Sequence, residues 1–170
     1  MYKYAENCEW FTPMSIIDSA RNVMGGTIDL DPTSSATANA RVRATRYYTV
    51  EQDALSDENV WDGNIWLNPP YNDVKPFADK LVRSKFKQAI VLTNNATETR
   101  WFNVLQEHCS AMVFSKGRIK FVKGEDLKVH DTPKQGQCFF YFGNNTDKFA
   151  EEFKKYGWVA YPDSAVGKAS

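Results

Sequence analysis

Short apolar runs alternate with amphipathic stretches through the first two thirds of the chain. The run at 89–93 is continuously apolar, which is typical of a strand that is buried on both faces. The predicted strands of this part are 27–31, 64–67 and 89–93. Apolar residues recur at helical spacing between these runs, and Gly25-Gly26 marks a helix end. The predicted helices are 13–24, an irregular 34–46, 74–86 and 97–105.

The last third of the chain has strands at closer spacing. The predicted elements are strands 111–114, 119–122 and 137–142, a helix at 149–156 and an edge strand at 158–161. Strands separated by helices, followed by hairpin-like strands, predict an α/β fold. We therefore expect a mixed, mostly parallel sheet with an antiparallel C-terminal hairpin.

Length and composition indicate one globular domain. The chain has 170 residues, of which 42% are hydrophobic, so we expect a single domain over 1–170 with a loose tail from about 162. Three widely spaced cysteines without a CxxC pair argue against a disulfide framework or a metal site. The sequence shows no secretion signal and no apolar run long enough to span a membrane, so we expect a cytoplasmic protein.

Charge is segregated although the net charge is zero. Zero net charge excludes a strongly basic nucleic-acid binder, but lysines and arginines concentrate in 75–87 and 116–134, and acids in 1–31 and 51–62. The stretch 116–136 contains the longest polar loop, and long loops in compact domains are usually functional or disordered. Its positive charge would suit DNA phosphates. The candidate DNA-binding residues are Lys116, Arg118, Lys123, Lys128 and Lys134.

The strand at 64–67 ends abruptly at Asn68-Pro69-Pro70-Tyr71. Neither proline can donate a ladder hydrogen bond, and Pro69 disfavours a helical conformation at Asn68. The Asn68 amide and the Pro69 carbonyl are therefore a pair of acceptors on a stiff turn, beside the Tyr71 ring. Because ligands bind at the carboxyl ends of strands in open α/β sheets, this turn is the main candidate site.

Two further segments carry candidate polar groups. Asp29 and Asp31 alternate with apolar residues in the predicted strand 27–31, so both carboxylates share one face. Buried carboxylates are costly unless they meet donors, and a capped turn would satisfy them as well as a ligand would. Thr12 is a good N-cap and Pro13 a good first helical residue, which a purely structural role explains completely.

Four motifs in order resemble those of a known family. They are Glu9-Trp10-Phe11-Thr12-Pro13, Asp29-Leu30-Asp31-Pro32, Asp53-Ala54-Leu55 and Asn68-Pro69-Pro70-Tyr71. Together they resemble the small DNA N6-adenine methyltransferases of phages and prophages, the Dam-like family. The resemblance implies a Rossmann-like methyltransferase fold, S-adenosyl-L-methionine as methyl donor, and double-stranded DNA as partner in a bacterial host cell.

The same resemblance implies roles for single residues. Trp10, Thr12 and Pro13 would lie near the methionine end of the donor, and Asp31, with Asp29 as second candidate, in its pocket. Asp53 would accept a hydrogen bond from the donor's adenine. Asn68-Pro69-Pro70-Tyr71 would hold a flipped-out target base.

The chain departs from the family pattern in two places. The glycine-rich turn common after the first strand is replaced by residues 31–35, and the acid that binds ribose has Glu51 as its nearest counterpart. With no separate recognition domain, specificity would come from loops such as 116–136. The alternatives are methylation of cytosine N4, RNA guanine or protein glutamine, or a non-catalytic DNA-binding module, which the intact Asn68 and Tyr71 disfavour.

Overall fold

A computed structural model describes residues 10–123 and 134–163 of the chain. The helices in this part are α1 Met14–Val23, α2 Ala36–Val42, α3 Val74–Arg83, α4 Arg100–His108 and α5 Thr146–Phe153. The strands are β1 Trp10–Phe11, β2 Leu30–Asp31, β3 Arg46–Tyr47, β4 Asn64–Leu67, β5 Gln88–Asn94, β6 Ala111–Ser115, β7 Val122–Lys123, β8 Gln137–Phe142 and β9 Gly157–Ala160. Most of the predicted tail lies outside the described residues.

Seven strands form one mixed sheet in the order β3-β2-β4-β5-β8-β6-β9. The first four run parallel to one another, and β8 enters antiparallel between β5 and β6. The edge strand β9 is antiparallel to β6. Five of the seven strands therefore share one direction, which confirms the predicted mixed α/β sheet and its antiparallel C-terminal part.

The central strand β5 shows why the sheet is covered by helices on both faces. Ile90 and Leu92 belong to the apolar cluster formed with α1 and α5, whereas Ala89 and Val91 belong to the cluster formed with α3 and α4. All four side chains are fully buried. Complete burial of one Val, Leu or Ile side chain contributes about 1.5–3 kcal/mol, so a continuous apolar run is stable only between two helical layers.

Several predicted boundaries differ from the structure; among the helices, α2 and α3 end earlier than predicted, at Val42 and Arg83, and α4 begins later, at Arg100. Of the predicted first central strand 27–31, only β2, Leu30–Asp31, is a regular strand. The backbone N–H groups of Thr45 and Arg46 donate to the carbonyls of Ile28 and Asp29, so the pairing extends towards residue 28. The predicted strand 119–122 is observed only from Val122, as β7, and it pairs with β1 rather than with the seven-stranded sheet. Ile119 instead donates its backbone N–H to the Gln137 side chain. Helix α5 begins at Thr146 rather than at 149.

The order of the strands creates a crevice between β2 and β4. From β2 the chain passes through α2 to β3 on one side, whereas from β4 it passes through α3 to β5 on the other. The connections thus diverge at this point, and the carboxyl ends of both strands open into the gap between them. Such a switch point is the usual place for a ligand in an open α/β sheet. Within the described residues, no helix is long and apolar enough to cross a bilayer.

Candidate active site

A narrow cleft lies at the carboxyl ends of β2 and β4 and is closed on one side by β1 and on another by α2. Four residues that the sequence analysis singled out line it: Trp10, Thr12, Asp31 and Asn68. The cleft measures about 50 Å³, whereas ligand pockets usually measure roughly 300–1,000 Å³. A ligand as large as a nucleoside must therefore widen the cleft or extend through its open mouth.

Asn68 presents an unused hydrogen-bond acceptor in this cleft. Its backbone carbonyl accepts from Thr33 Oγ1 at 3.0 Å, and its Nδ2 donates to Thr12 Oγ1 at 3.4 Å. These contacts orient the amide and leave Oδ1 buried, with no partner among the described residues. Because a buried acceptor without a donor costs about 1–3 kcal/mol, Asn68 Oδ1 favours a ligand that can donate to it.

The rest of the Asn68-Pro69-Pro70-Tyr71 turn is rigid. Pro69 is buried, and its carbonyl accepts no hydrogen bond within the described residues. The turn continues directly into α3, with Asp73 donating its backbone N–H to the Pro70 carbonyl at 2.9 Å. A second free acceptor thus follows Asn68 in the chain.

Tyr71 is not among the residues that line the cleft. Its ring meets the Phe121 ring edge to face, with the centroids 6.2 Å apart. The hydroxyl is buried and has no partner among the described residues. Burial raises the pKa of the Tyr71 phenol far above its usual range, so this residue stays protonated at neutral pH and does not act as a base.

Thr12 does not have the capping role that its sequence position predicts. The N-cap of α1 is Pro13, and no side chain caps the first turn. Thr12 is instead buried, and its hydroxyl accepts from the Asn68 amide. The contact that orients the Asn68 amide therefore comes from a residue 56 positions away in the chain.

Asp31 is a buried carboxylate at the end of β2. It is 3% exposed, and Oδ1 accepts a hydrogen bond from the Thr33 backbone N–H at 3.1 Å. Burial raises the pKa of Asp31 to about 6, although hydrogen bonds from Thr33 and Ser34 act in the opposite direction. A carboxylate with so strongly raised a pKa in a cleft is typical of a functional group, and here it is suited to a cationic ligand.

The structure does not bring the other predicted acids into the cleft. Asp29 Oδ2 accepts the backbone N–H of Asn64 at 2.7 Å, so this carboxylate holds the start of β4. Asp53 is exposed, and its Oδ1 accepts from the Leu55 backbone N–H at 3.3 Å. Glu51 is also exposed. Within the described residues, no three His, Cys, Asp or Glu side chains lie together as a metal site would require.

The predicted basic segment begins beside the cleft. Strand β7 pairs antiparallel with β1, and Lys123 lies opposite Trp10 in the register. Lys116, Arg118 and Lys134 are exposed. Only the backbone of Lys123 is described, and Lys128 lies outside the described residues.

Six residues that line the cleft are absent from the predicted site residues: Phe11, Thr33, Ala38, Arg41, Val42 and Trp66. Thr33 follows a predicted strand directly, so its place at the strand end was a usable signal. Arg41 lies in the irregular helical stretch 34–46, which has no clear amphipathic pattern that would show which way a side chain points.

Comparison with known proteins places the chain in a family. A sequence model described as DNA N-6-adenine-methyltransferase (Dam) matches residues 2–158. The chain belongs to this Dam family. This membership confirms the resemblance carried by the four sequence motifs.

Two individual proteins can be compared with this Dam family member. The DNA N-6-adenine-methyltransferase of Escherichia phage T1 is 24% identical over 150 residues, which cover 77% of this chain and 60% of the phage protein. The chain thus spans less than two thirds of that relative's length. A crystal structure of a dimethyladenosine transferase from Plasmodium falciparum superposes with a TM-score of 0.48 at 13% identity, covering 86% of this chain and 67% of the other.

We predict that Asp31→Asn removes a pH dependence from the stability of this Dam family member. With a folded-state pKa of about 6 and an unfolded value of about 3.9, the folded state holds more protons between these values. Its free energy of unfolding therefore falls as pH rises through this window, and the loss is complete above pH of about 6. The free energy of unfolding of Asp31→Asn, measured relative to wild type, should therefore be about 3 kcal/mol higher at pH 7.5 than near pH 4.

Urea unfolding of both proteins without ligand, at several pH values from 4 to 7.5, measures this difference. Asp163→Asn, at an exposed position, is the matched control and should leave the pH dependence unchanged. Parallel pH profiles for wild type and Asp31→Asn would show that Asp31 does not titrate in this window.

Proposed function

We propose that the protein transfers a methyl group from S-adenosyl-L-methionine to the N6 amino group of adenine in DNA. The observation that carries this proposal is that Asn68 Oδ1 and the Pro69 carbonyl, at the switch point of the sheet, have no hydrogen-bond donor among the described residues. Membership of the Dam family supports DNA adenine as the acceptor.

An aromatic amine needs help to act as a nucleophile, because its lone pair is delocalised into the ring. Asn68 Oδ1 and the Pro69 carbonyl can each accept one N6 hydrogen. Holding both hydrogens favours a tetrahedral nitrogen and directs its lone pair towards the donor. The two acceptors also stabilise the positive charge that the nitrogen gains before it loses a proton. This is catalysis by positioning and electrostatics, with no covalent enzyme intermediate.

The described residues fit the donor at its charged end. When bound, S-adenosyl-L-methionine supplies an electrophilic methyl group on a sulfonium. Asp31 offers a buried carboxylate to the donor's ammonium group, and Thr12 orients Asn68 between donor and acceptor. Trp10 lines the cleft together with Thr12, whereas Pro13, the next residue in the chain, does not. Asp29 and Asp53 have other hydrogen-bond partners, and we assign them no part in the donor site.

The target base has to leave the duplex to reach the cleft, because the stack hides its amino group. Stacking of a base on an aromatic ring is worth about 1–3 kcal/mol. We assign this contact to Tyr71, whose ring is only partly buried and is held in place by Phe121.

The basic segment is our proposed DNA surface. The pairing of β1 with β7 joins its first part to the cleft wall, and Gln137 holds both of its ends by accepting from the Ile119 N–H and donating to the Gln135 carbonyl. Exposed Lys116 and Arg118 lie in the first of these ends. Phosphates bound there would lie near a base that enters the cleft.

We predict that Asn68→Ala lowers kcat for methyl transfer by about 10²–10³-fold, which is the usual effect of removing one positioned hydrogen-bonding group from an enzyme's active site. Donor affinity should change little, since the unused Oδ1 is reserved for the acceptor amine. Asn68→Asp keeps an acceptor at this position and should retain more activity than the alanine variant. Single-turnover kinetics with labelled donor, together with calorimetric donor titration, separate the two effects. A variant with weak donor binding but a normal turnover rate would contradict the assigned role.

We predict that Lys116→Ala with Arg118→Ala weakens DNA binding and reduces its salt dependence. If both side chains contact phosphates, the slope of log K against log [salt] should become shallower by about 1.8, at about 0.9 per contact. The control replaces Lys87 and Lys148, which line a groove beside the starts of the parallel strands. Fluorescence anisotropy with a labelled duplex from 50 to 200 mM salt measures both slopes. Equal slopes in the two double variants would place the DNA elsewhere.

The acceptor itself is tested directly. Protein is incubated with methyl-labelled donor and equal amounts of duplex DNA, RNA and unrelated protein, and the modified base is identified by mass spectrometry of nucleosides. N6-methyladenine from DNA is the expected product. Label in N4-methylcytosine, RNA guanine or protein glutamine would favour one of the related amine acceptors instead.

A further inference from the structure

We propose that Arg41 binds the carboxylate of the donor's methionine moiety, opposite the ammonium site at Asp31. The two residues would then recognise the zwitterionic end of the donor as a pair of opposite charges. This inference rests on the proposed function, because it concerns the same cleft and the same donor.

The position of Arg41 is the first observation. Its side chain leaves α2 and lines the same cleft as Asp31 and Asn68. The guanidinium carbon lies 5.8 Å from the centroid of the Phe11 ring, which forms another wall. The helix end that carries it is fixed, because the Arg21 guanidinium donates to the backbone carbonyls of Arg41 and Val42. The backbone that carries the Arg41 side chain is therefore held in place by hydrogen bonds.

The second observation is an unmet hydrogen-bonding group. Arg41 Nε is buried and has no acceptor within the described residues. Two other arginines in that part of the chain form ion pairs, Arg21 with Asp18 and Arg46 with Asp62. Arg41 forms no ion pair within residues 10–123 and 134–163. A partly desolvated guanidinium without an acceptor is costly, so the site favours an anion.

The chemistry of the side chain indicates which anion fits. A guanidinium is a planar fork of donors that matches a carboxylate or a phosphate in two parallel hydrogen bonds. A DNA phosphate remains outside with the backbone, whereas Arg41 Nε is buried. Asp31 in the same cleft needs a cation, and an α-amino acid brings an ammonium and a carboxylate a few atoms apart. One zwitterionic ligand thus satisfies both residues.

The test removes the carboxylate from the ligand and the guanidinium from the protein in turn. Calorimetry compares S-adenosyl-L-methionine with decarboxylated S-adenosylmethionine, which keeps the sulfonium and the amine. Wild type should bind the intact donor roughly 10- to 100-fold more tightly, as expected for hydrogen bonds to charged groups. Arg41→Ala should lose most of this preference and bind both ligands with similar dissociation constants. Arg41→Lys should restore part of it, because a point charge replaces the fork.

Arg46→Ala is the matched control, since it removes an exposed arginine that pairs with Asp62. It should keep the wild-type preference for the intact donor. Thermal unfolding of each variant checks that the fold survives, and the comparison of ligands on wild type needs no variant at all.

The outcomes distinguish a failure of the Arg41 assignment from a failure of the proposed function. Equal affinity of wild type for both ligands, or an undiminished preference in Arg41→Ala, overturns the carboxylate assignment and leaves the proposed function intact. If Arg41→Ala binds the donor normally but loses salt-dependent affinity for a DNA duplex, Arg41 contacts phosphate instead. A wild type that binds no S-adenosyl-L-methionine overturns the donor of the proposed function, and this inference with it.

Discussion

The abrupt end of β4 is the constraint on which the site depends. Leu67 is the last residue of the strand, and the two prolines that follow Asn68 cannot donate to a neighbouring strand. The Asn68 backbone carbonyl accepts from Thr33, which itself follows the end of β2. One hydrogen bond thus joins the carboxyl ends of the two strands that border the crevice. Any movement of either strand end would displace the Asn68 amide, so the acceptors are held before a ligand arrives.

The cleft combines several polar groups that the protein itself leaves unsatisfied. Asn68 Oδ1 and Arg41 Nε lack partners among the described residues, and Asp31 carries a raised pKa because it is buried. Each of these features is unfavourable for stability on its own. Their presence within one small cleft is difficult to explain by folding, whereas two ligands would satisfy them: a zwitterion for Asp31 and Arg41, and an amine for Asn68.

Local chemistry could be predicted from the sequence where a residue's own backbone dictates it. The stop at Asn68-Pro69-Pro70-Tyr71, the buried strand β5 and the acid at the end of β2 depend only on their neighbours in the chain. The role of Thr12 could not be predicted, because the Asn68 amide, which donates to its hydroxyl, is 56 residues away in the chain. Alternation along the chain predicts that Asp29 and Asp31 share one face, but it could not show that the Asn64 N–H would bind Asp29.

The same limit explains the errors in the sheet and the omission of Arg41. The partner of β1 is β7, more than a hundred residues further along the chain, and neither two-residue strand has a period that could reveal it. Arg41 is in a short helix of small and polar residues, where no amphipathic stripe fixes the facing side. Packing decides which distant strands pair and which face of a helix points inward. The hydrophobic pattern along the chain reveals these choices only when a strand or helix is long.

The β1–β7 ribbon links the two halves of the proposed activity. A cleft of about 50 Å³ is too small for a nucleoside, so a ligand of that size either extends through the open mouth or moves a wall. Among its walls, β2 and β4 are held in the seven-stranded sheet, and α2 is tied down by Arg21. The remaining wall is β1, in which Trp10 and Phe11 pair with Lys123 and Val122 of β7. Since β7 is also where the basic segment leaves the described chain, displacement of Trp10 and Phe11 by a ligand also displaces the base of the proposed DNA surface.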